Sequence, residues 1–233
     1  MLDRGRSRSA QTAAPASSLV SGLNEKFDLV HPSEFRNRYD HIQSSGYVAP
    51  LTHRTTTGEA ITLFHDSPLL THSLLDNARY YFPEGINGFR DQIVIDLGAG
   101  AAADGYLIAR DLGARAYIGV DFCFAPTLLT SIESLSHFER TIPYSVIYDS
   151  IEEILPALPP RSCSFICAGI DDSFPGFEEL PKRMGIHLPK TLHRDGACLL
   201  FSYNLESFCF PELKDVSRIP SVSTWIHPSI NPK

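Results

Sequence analysis

Three aspartates, each closing an apolar run, and one glycine loop carry the chemistry legible in this sequence. Val94-Ile95-Asp96-Leu97-Gly98-Ala99-Gly100 leads straight into Ala101-Ala102-Ala103-Asp104-Gly105. An apolar run that ends in Gly-x-Gly and turns at once into a helical pattern lets a ligand approach the backbone closely, because no Cβ stands in the way. It also presents free N–H groups at the helix start. Asp121 closes a second apolar run, 116–121, at the place where a carboxylate can accept hydrogen bonds from both hydroxyls of a ribose. Asp149 closes a third, 144–149, within reach of an adenine amino group. Asp96 stands just before the glycines, where dinucleotide-binding strands carry an apolar residue; a carboxylate there can fix the loop and meet a cationic amino-acid group. One acid at a strand end is commonly a cap or a surface residue, but three at successive ends point to a nucleotide-type site at the carboxyl edge of a sheet.

The elements that must position these residues follow from periodicity. From Gln92 onward apolar runs alternate with helical patterns, the signature of βαβ units and of a parallel sheet buried on both faces. Strands are expected at 93–97, 116–121, 144–149, 164–170 and 196–204, with helices after Gly100, from 125, and directly after Asp149. Ser150 and Glu153 have capping-box spacing. The stretch before the fifth strand is helical and interrupted by proline. Upstream, Pro68 suits the first helical position and Leu70, Leu74, Leu75, Ala78 and Tyr81 recur at helical spacing. Residues 25–90 are therefore expected to form a helical N-terminal cover, and the Ser/Ala/Arg-rich residues 1–24 a flexible tail.

Asp96-Leu97-Gly98-Ala99-Gly100, with Ile118-Gly119-Val120-Asp121 and Val146-Ile147-Tyr148-Asp149, resembles the class I S-adenosylmethionine-dependent methyltransferase family over about residues 90–204. The resemblance implies a doubly wound, mostly parallel Rossmann-like α/β sheet with helices on both faces and S-adenosylmethionine across the carboxyl ends of the first strands. Carried over position by position, Asp96, Gly98, Ala99 and Gly100 would hold the methionine part. Asp121 and Phe122 would take the ribose and one adenine face, Asp149, Ser150 and Ile151 the adenine edge, and Ala168 and Gly169 the floor near the sulfonium. The sequence departs from the family at Ala102, where a third glycine is common, and at its end. Few residues follow the fifth strand, and they include Pro211, Pro220, Pro228 and Pro232. A shortened C-terminal end is expected, with one short strand within Val222–His227.

Methyl transfer is an in-line displacement that asks the protein mainly for proximity and orientation, with a base only where the acceptor must lose a proton. Asp171, Asp172, His187 and His193 are the candidate bases. Gly169-Ile170-Asp171-Asp172-Ser173-Phe174 lacks the Asn/Asp-Pro-Pro-Tyr pattern of methyltransferases acting on base or amide nitrogen, so a small-molecule acceptor is expected. Phe64, Tyr80, Tyr81 and Phe82 are the aromatics that would wall it. Two other readings stay open: an inactive relative that serves as a binding module, and a nicotinamide-dependent oxidoreductase, since Gly98-x-Gly100-x-x-Ala103 fits a relaxed dinucleotide fingerprint.

Composition bounds the remainder. With 233 residues, 43% hydrophobic and 20% charged, the chain has the makings of one domain with a substantial core. The formal charge of −7 argues against a broad basic face for nucleic acid, so no nucleic-acid partner is expected. No apolar run reaches the roughly 18–20 residues that span a bilayer, so no membrane partner is expected and the default compartment is cytoplasmic. The five cysteines have no paired CxxC spacing and the nine histidines no metal-binding grouping, so buried free thiols and no metal are expected.

Overall fold

The computed structural model describes residues 14–30, 49–54, 60–65, 82, 86–100, 103–122, 141–168, 170, 177–201, 207–218 and 222–230. The expected helices at 67–81 and from 125 lie outside the described residues, as do Gly169, Asp171 and Asp172.

In chain order the elements are α1 (Ala14–Lys26), β1 (Leu29–Val30), β2 (Ala49–Arg54), β3 (Ala60–His65), β4 (Ile93–Leu97), α2 (Ala103–Asp111), β5 (Ala116–Asp121), β6 (Tyr144–Tyr148) and α3 (Ile151–Ile154). Then come β7 (Ser164–Ala168), α4 (Leu180–Thr191), β8 (Ala197–Phe201), β9 (Lys214–Asp215) and β10 (Ser223–Ile226). Strands β2 and β3 form a separate hairpin, and the other eight form one sheet of order β1-β6-β5-β4-β7-β8-β10-β9. Neighbours from β6 to β8 are parallel, whereas β1 runs antiparallel to β6, and β10 antiparallel to both β8 and β9.

Alternation along each strand feeds two cores. Val94, Tyr117, Val146, Ile166 and Leu199 face α2, which adds Tyr106 and Leu107. Ile93, Ile95, Ile118, Val120, Phe165 and Leu200 face the opposite layer, with Leu19, Leu23, Ile151, Leu180, Met184 and Leu188 on its helices. Helices therefore cover both faces, as a parallel sheet requires. Local signals end the elements where expected. Gly113 takes φ 83 just past α2, and the Ser150 hydroxyl accepts the Glu153 N–H across 3.3 Å at the start of α3. Pro189 lies inside α4, and the carbonyl it leaves without an amide partner belongs to Gly185, four residues earlier.

Two expectations change at the termini. Residues 14–24, expected as flexible tail, lie in α1. Leu19, Leu23 and Phe27 recur every four residues, and both leucines are fully buried against the sheet. Two buried leucines, each worth about 1.5–3 kcal/mol, hold a Ser/Ala-rich helix that composition alone would leave unfolded. The described part of 25–90 is not helical beyond Lys26: it gives β1, which extends the sheet edge, and the β2–β3 hairpin. At the other end, β9 and β10 supply a short antiparallel pair, so the shortened end still closes the sheet with a reversed strand. Its single expected strand at 222–227 is β10.

Candidate functional site

The chain leaves β4 for β5 and β6 on one side, then crosses to β7 and β8 on the other. The order reverses at β4. In open α/β sheets such a switch point leaves a crevice outside the carboxyl ends of the strands, and the glycine loop follows β4 at that point.

Three hydrogen bonds tie this loop to the end of β5. The Gly98 and Ala99 N–H groups donate to the Val120 carbonyl at 2.9 and 3.0 Å, and the Gly100 N–H donates to Asp121 Oδ2 at 2.8 Å. Gly98 and Gly100 have φ 78 and 50, backbone that side chains rarely adopt. A Cβ on Gly98 would also sit 2.9 Å from Ile170 Cγ1, so the chain leaving β7 passes directly over the loop. The two glycines thus serve a curled backbone held against one strand and covered by another.

The structure brings most of the expected ligand residues to this edge. Asp121 is buried at 8% exposure. Its carbonyl accepts the Asp149 N–H at 3.2 Å, while Asp149 Oδ1 accepts the Ser150 N–H at 2.7 Å. Phe122 follows Asp121, partly exposed, and Ile151 is buried in the first turn of α3. Ala168 ends β7 one strand away. Asp121 thus braces the loop through one oxygen before it meets any ligand.

Asp96 stands on β4 two residues before Gly98. At 2% exposure, its Oδ2 accepts the Tyr117 hydroxyl at 2.6 Å. Gly105 on α2 is the residue that permits this: a Cβ there would collide with Asp96 Oδ2 and stand 2.9 Å from the Tyr117 hydroxyl. Around this pair the Tyr117 and Tyr144 rings stack at 5.1 Å and Tyr106 meets both edge-on. Burial, then the Asp96 charge and Tyr106, push the Tyr144 hydroxyl well above its ordinary range; burial, then Cys198 and Asp96, do the same to the Cys167 thiol. Tyr117 and Gly105 are missed by sequence reasoning. The available signal was register, since Gly119 stands opposite Asp96 and frees the room that the Tyr117 side chain enters from two positions away.

The candidate bases divide. Asp171 and Asp172 lie outside the described residues, and His187 and His193 are held at the opposite edge of the sheet. The His193 N–H donates to the Cys163 carbonyl at 2.8 Å, at the amino end of β7, and His187 is in the second half of α4 leading to that point. Phe82 is likewise remote: it packs edge-on against Phe89, ring centroids 5.5 Å apart, ahead of β4 at the amino end. Among the described residues no group of three or more His, Cys, Asp or Glu side chains is placed to hold a metal. An open cavity of about 550 Å³ lies beside the start of α4, lined by Phe177, Glu178, Pro181, Lys182, Ser207 and Cys209.

Strand order, reversed end strand and glycine loop together define an open, mostly parallel α/β sheet of the Rossmann-like kind. Solved structures of similar fold include a ribosomal protein L11 methylase from Lactobacillus delbrueckii subsp. bulgaricus, 14% identical over 69% of this chain and 77% of that one, TM-score 0.43. They also include the PH0226 protein from Pyrococcus horikoshii OT3, 12% identical over 77% of this chain and 94% of that one, TM-score 0.47. The mycolic acid cyclopropane synthase CmaA1 is 14% identical over 58% of this chain and 46% of that one, TM-score 0.38. No protein-family model matches the sequence, and no curated protein matches it closely enough to count as a relative.

Proposed function

We propose that the chain binds S-adenosylmethionine at the carboxyl edge of β4, β5 and β6 and transfers its methyl group to a small-molecule acceptor. The observation that carries this reading is the Gly98–Gly100 loop, pinned to Val120 and Asp121 at the switch point of the sheet. When bound, the sulfonium supplies an activated methyl group; the chain's own residues supply position. The bare backbone at Gly100 admits the methionine part while Gly98 lets the loop turn beneath Ile170, Asp121 faces the ribose from a fixed loop, and the Asp149–Ile151 turn takes the adenine edge. Because in-line displacement gains chiefly from orientation, a rigid cradle without a metal is sufficient machinery. Phe177 and Pro181, with Lys182 and Glu178 at the cavity beside the start of α4, support a small, partly apolar acceptor.

Calorimetric titration with S-adenosylhomocysteine tests the first half of the proposal. Asp121→Ala removes an acceptor of charge-assisted hydrogen bonds, each worth about 1.5–3 kcal/mol, and also frees the Gly100 N–H. Affinity is expected to fall at least tenfold. Unchanged affinity in a folded variant would place the ribose elsewhere, and titration with NADH in place of S-adenosylhomocysteine would establish the oxidoreductase reading. S-adenosylhomocysteine release across a panel of hydroxyl, carboxyl and amine compounds tests the second half. Tight binding without turnover on any acceptor class would identify an inactive binding module.

A further inference from the structure

The opposite edge of the same sheet carries a different pattern. Arg115 immediately precedes β5, Arg90 stands three residues before β4, Arg161 three before β7 and Arg194 three before β8. Those strands are consecutive neighbours, β5-β4-β7-β8. Four arginines therefore lie one per strand along the amino edge of neighbouring strands that are themselves about 4.8 Å apart. Backbone bonds fix the segments that bear them: the Arg115 N–H donates to the Gln92 carbonyl at 2.8 Å, and the Arg161 N–H to the Lys190 carbonyl at 3.0 Å. All four side chains are exposed, and among the described residues none has a carboxylate at ion-pair distance. Lys190, at the end of α4, adds a fifth cation beside Arg161. Arg183 continues the charge along the same helix, and His187 between it and Lys190 is held below its ordinary value by burial and by those two cations. His227 stands at the end of β10, close enough to Arg161 and Arg194 for both charges to disfavour its protonation. The described carboxylates at this edge are Asp91, Asp111, Asp195 and, two residues before β9, Glu212; Asp111 is held by Arg110 at 2.7 Å.

We propose that this arginine row is a docking surface for the phosphate backbone of double-helical nucleic acid, separate from the crevice at the carboxyl edge. The guanidinium fork matches phosphate in two parallel hydrogen bonds, and a regular row suits a ligand whose charge repeats regularly. A protein partner is a poorer fit, because stable protein interfaces centre on apolar and aromatic anchors. Of the large exposed hydrophobics among the described residues, Val20, Tyr148 and Ile186, only Ile186 adjoins this surface, on the α4 face that carries Arg183 and Lys190. Exposed aromatics for stacking unpaired bases are likewise absent from the described residues of this edge, which favours backbone contact with a duplex. The formal charge of −7 describes the whole chain; the row is a local reversal of it.

The test is fluorescence anisotropy with a labelled 20-base-pair duplex, as DNA and as RNA, from 50 to 200 mM salt. Four phosphate contacts predict that log K falls with log salt at a slope of about 3–4, and that each Arg→Gln substitution lowers the slope by about 0.9. Affinity in the 10–100 μM range is expected near physiological salt, on the order of ordinary non-specific binding. The quadruple variant Arg90→Gln, Arg115→Gln, Arg161→Gln and Arg194→Gln should lose binding at least tenfold while its thermal unfolding and its titration with S-adenosylhomocysteine stay as in the parent. Absence of binding at 50 mM salt, or binding that survives the quadruple substitution, would overturn the proposal. So would poly-glutamate bound more tightly than either duplex, since that would assign the row to an acidic protein partner.

Discussion

The two edges of one sheet divide its chemistry by sign. At the carboxyl edge, acids close the strands: Asp121 braces the glycine loop and Asp149 the first turn of α3, each through a backbone N–H. At the amino edge arginines precede the strands, and among the described residues no carboxylate at ion-pair distance restrains them. The carboxyl edge is preorganised and inward-looking; the amino edge is exposed and adaptable. The difference teaches that a parallel sheet, whose strands all point one way, can gather like residues at each end although they lie far apart in the chain. Arg90, Arg115, Arg161 and Arg194 are separated by tens of residues, and only the strand order makes them neighbours.

The largest expected effect probes the dry interior just inside the amino edge. Burial raises the Cys163 and Cys198 thiols from 9.0 to about 12. An acid whose folded pKa is raised favours the folded state fully below its unfolded value and loses that contribution as pH climbs through the folded one. Stability should therefore hold to about pH 9 and fall steeply toward pH 12, by on the order of 4 kcal/mol for each thiol. Melting temperature measured against pH checks this; a flat alkaline profile would mean that water reaches the thiols. Among the described cysteines only Cys209 is exposed, so it alone of these should react with a thiol reagent in the folded protein at neutral pH.

Next in size is the contact at Asp96. Gly105→Ala forces a methyl group into the Asp96 carboxylate and is expected to cost about 3 kcal/mol, at the upper end of overpacking penalties, in urea unfolding. The sharpening control is Gly185→Ala on α4, where the nearest atom to the new Cβ is the Cys209 carbonyl oxygen at 3.4 Å. That change should be close to neutral or stabilising, because alanine is the better helix former by about 1 kcal/mol. Equal losses at both glycines would show that the helices tolerate no side chain anywhere, rather than that the Asp96 site is special.

Gly100→Val follows. A β-branched residue at φ 50 is strained and fills the space above the loop. S-adenosylhomocysteine affinity should drop about 100-fold, roughly 2.7 kcal/mol, with far-ultraviolet dichroism unchanged. Retained affinity would make the loop a structural turn and leave the carboxyl edge without its ligand. The smallest effect lies at the amino edge. Burial first, then Arg161 and Arg194, hold His227 below its ordinary value of 6.5, while Asp195 opposes them. A histidine held low weakens the fold as pH drops below that ordinary value, because the unfolded chain takes up the proton more readily. Replacing both arginines by glutamine should move the His227 titration, followed by NMR, part of the way back up. A titration that does not move would mean the guanidinium groups point away from it.

The central strands, the glycine loop and the capped turn at Ser150 were legible because each rests on local pattern: apolar runs, Gly-x-Gly, and a serine three residues before a glutamate. The site was legible to the same depth. Asp121 and Asp149 stand where strand ends predict, but the partner of Asp96 depends on register between β4 and β5, and Gly105 reads as an ordinary helical glycine until α2 is laid on the sheet. Helix α1 was hidden by composition, since three apolar residues at a four-residue interval are outnumbered by serine and alanine. His187 and His193 carry suitable chemistry but sit at the wrong end of a helix that runs opposite to the strands, a fact visible only in the topology.

The reversed strand β10 gives the molecule an optical gauge. The chain has one tryptophan, Trp225, partly buried on β10 with its ring edge-on to Phe210 at a centroid distance of 5.1 Å. Its emission therefore reports from the last antiparallel strands and from nowhere else. In a denaturant series, a red shift that precedes the loss of helical dichroism would mark detachment of that end while the parallel body persists. Coincident changes would show that the short C-terminal segment shares one cooperative unit with the rest.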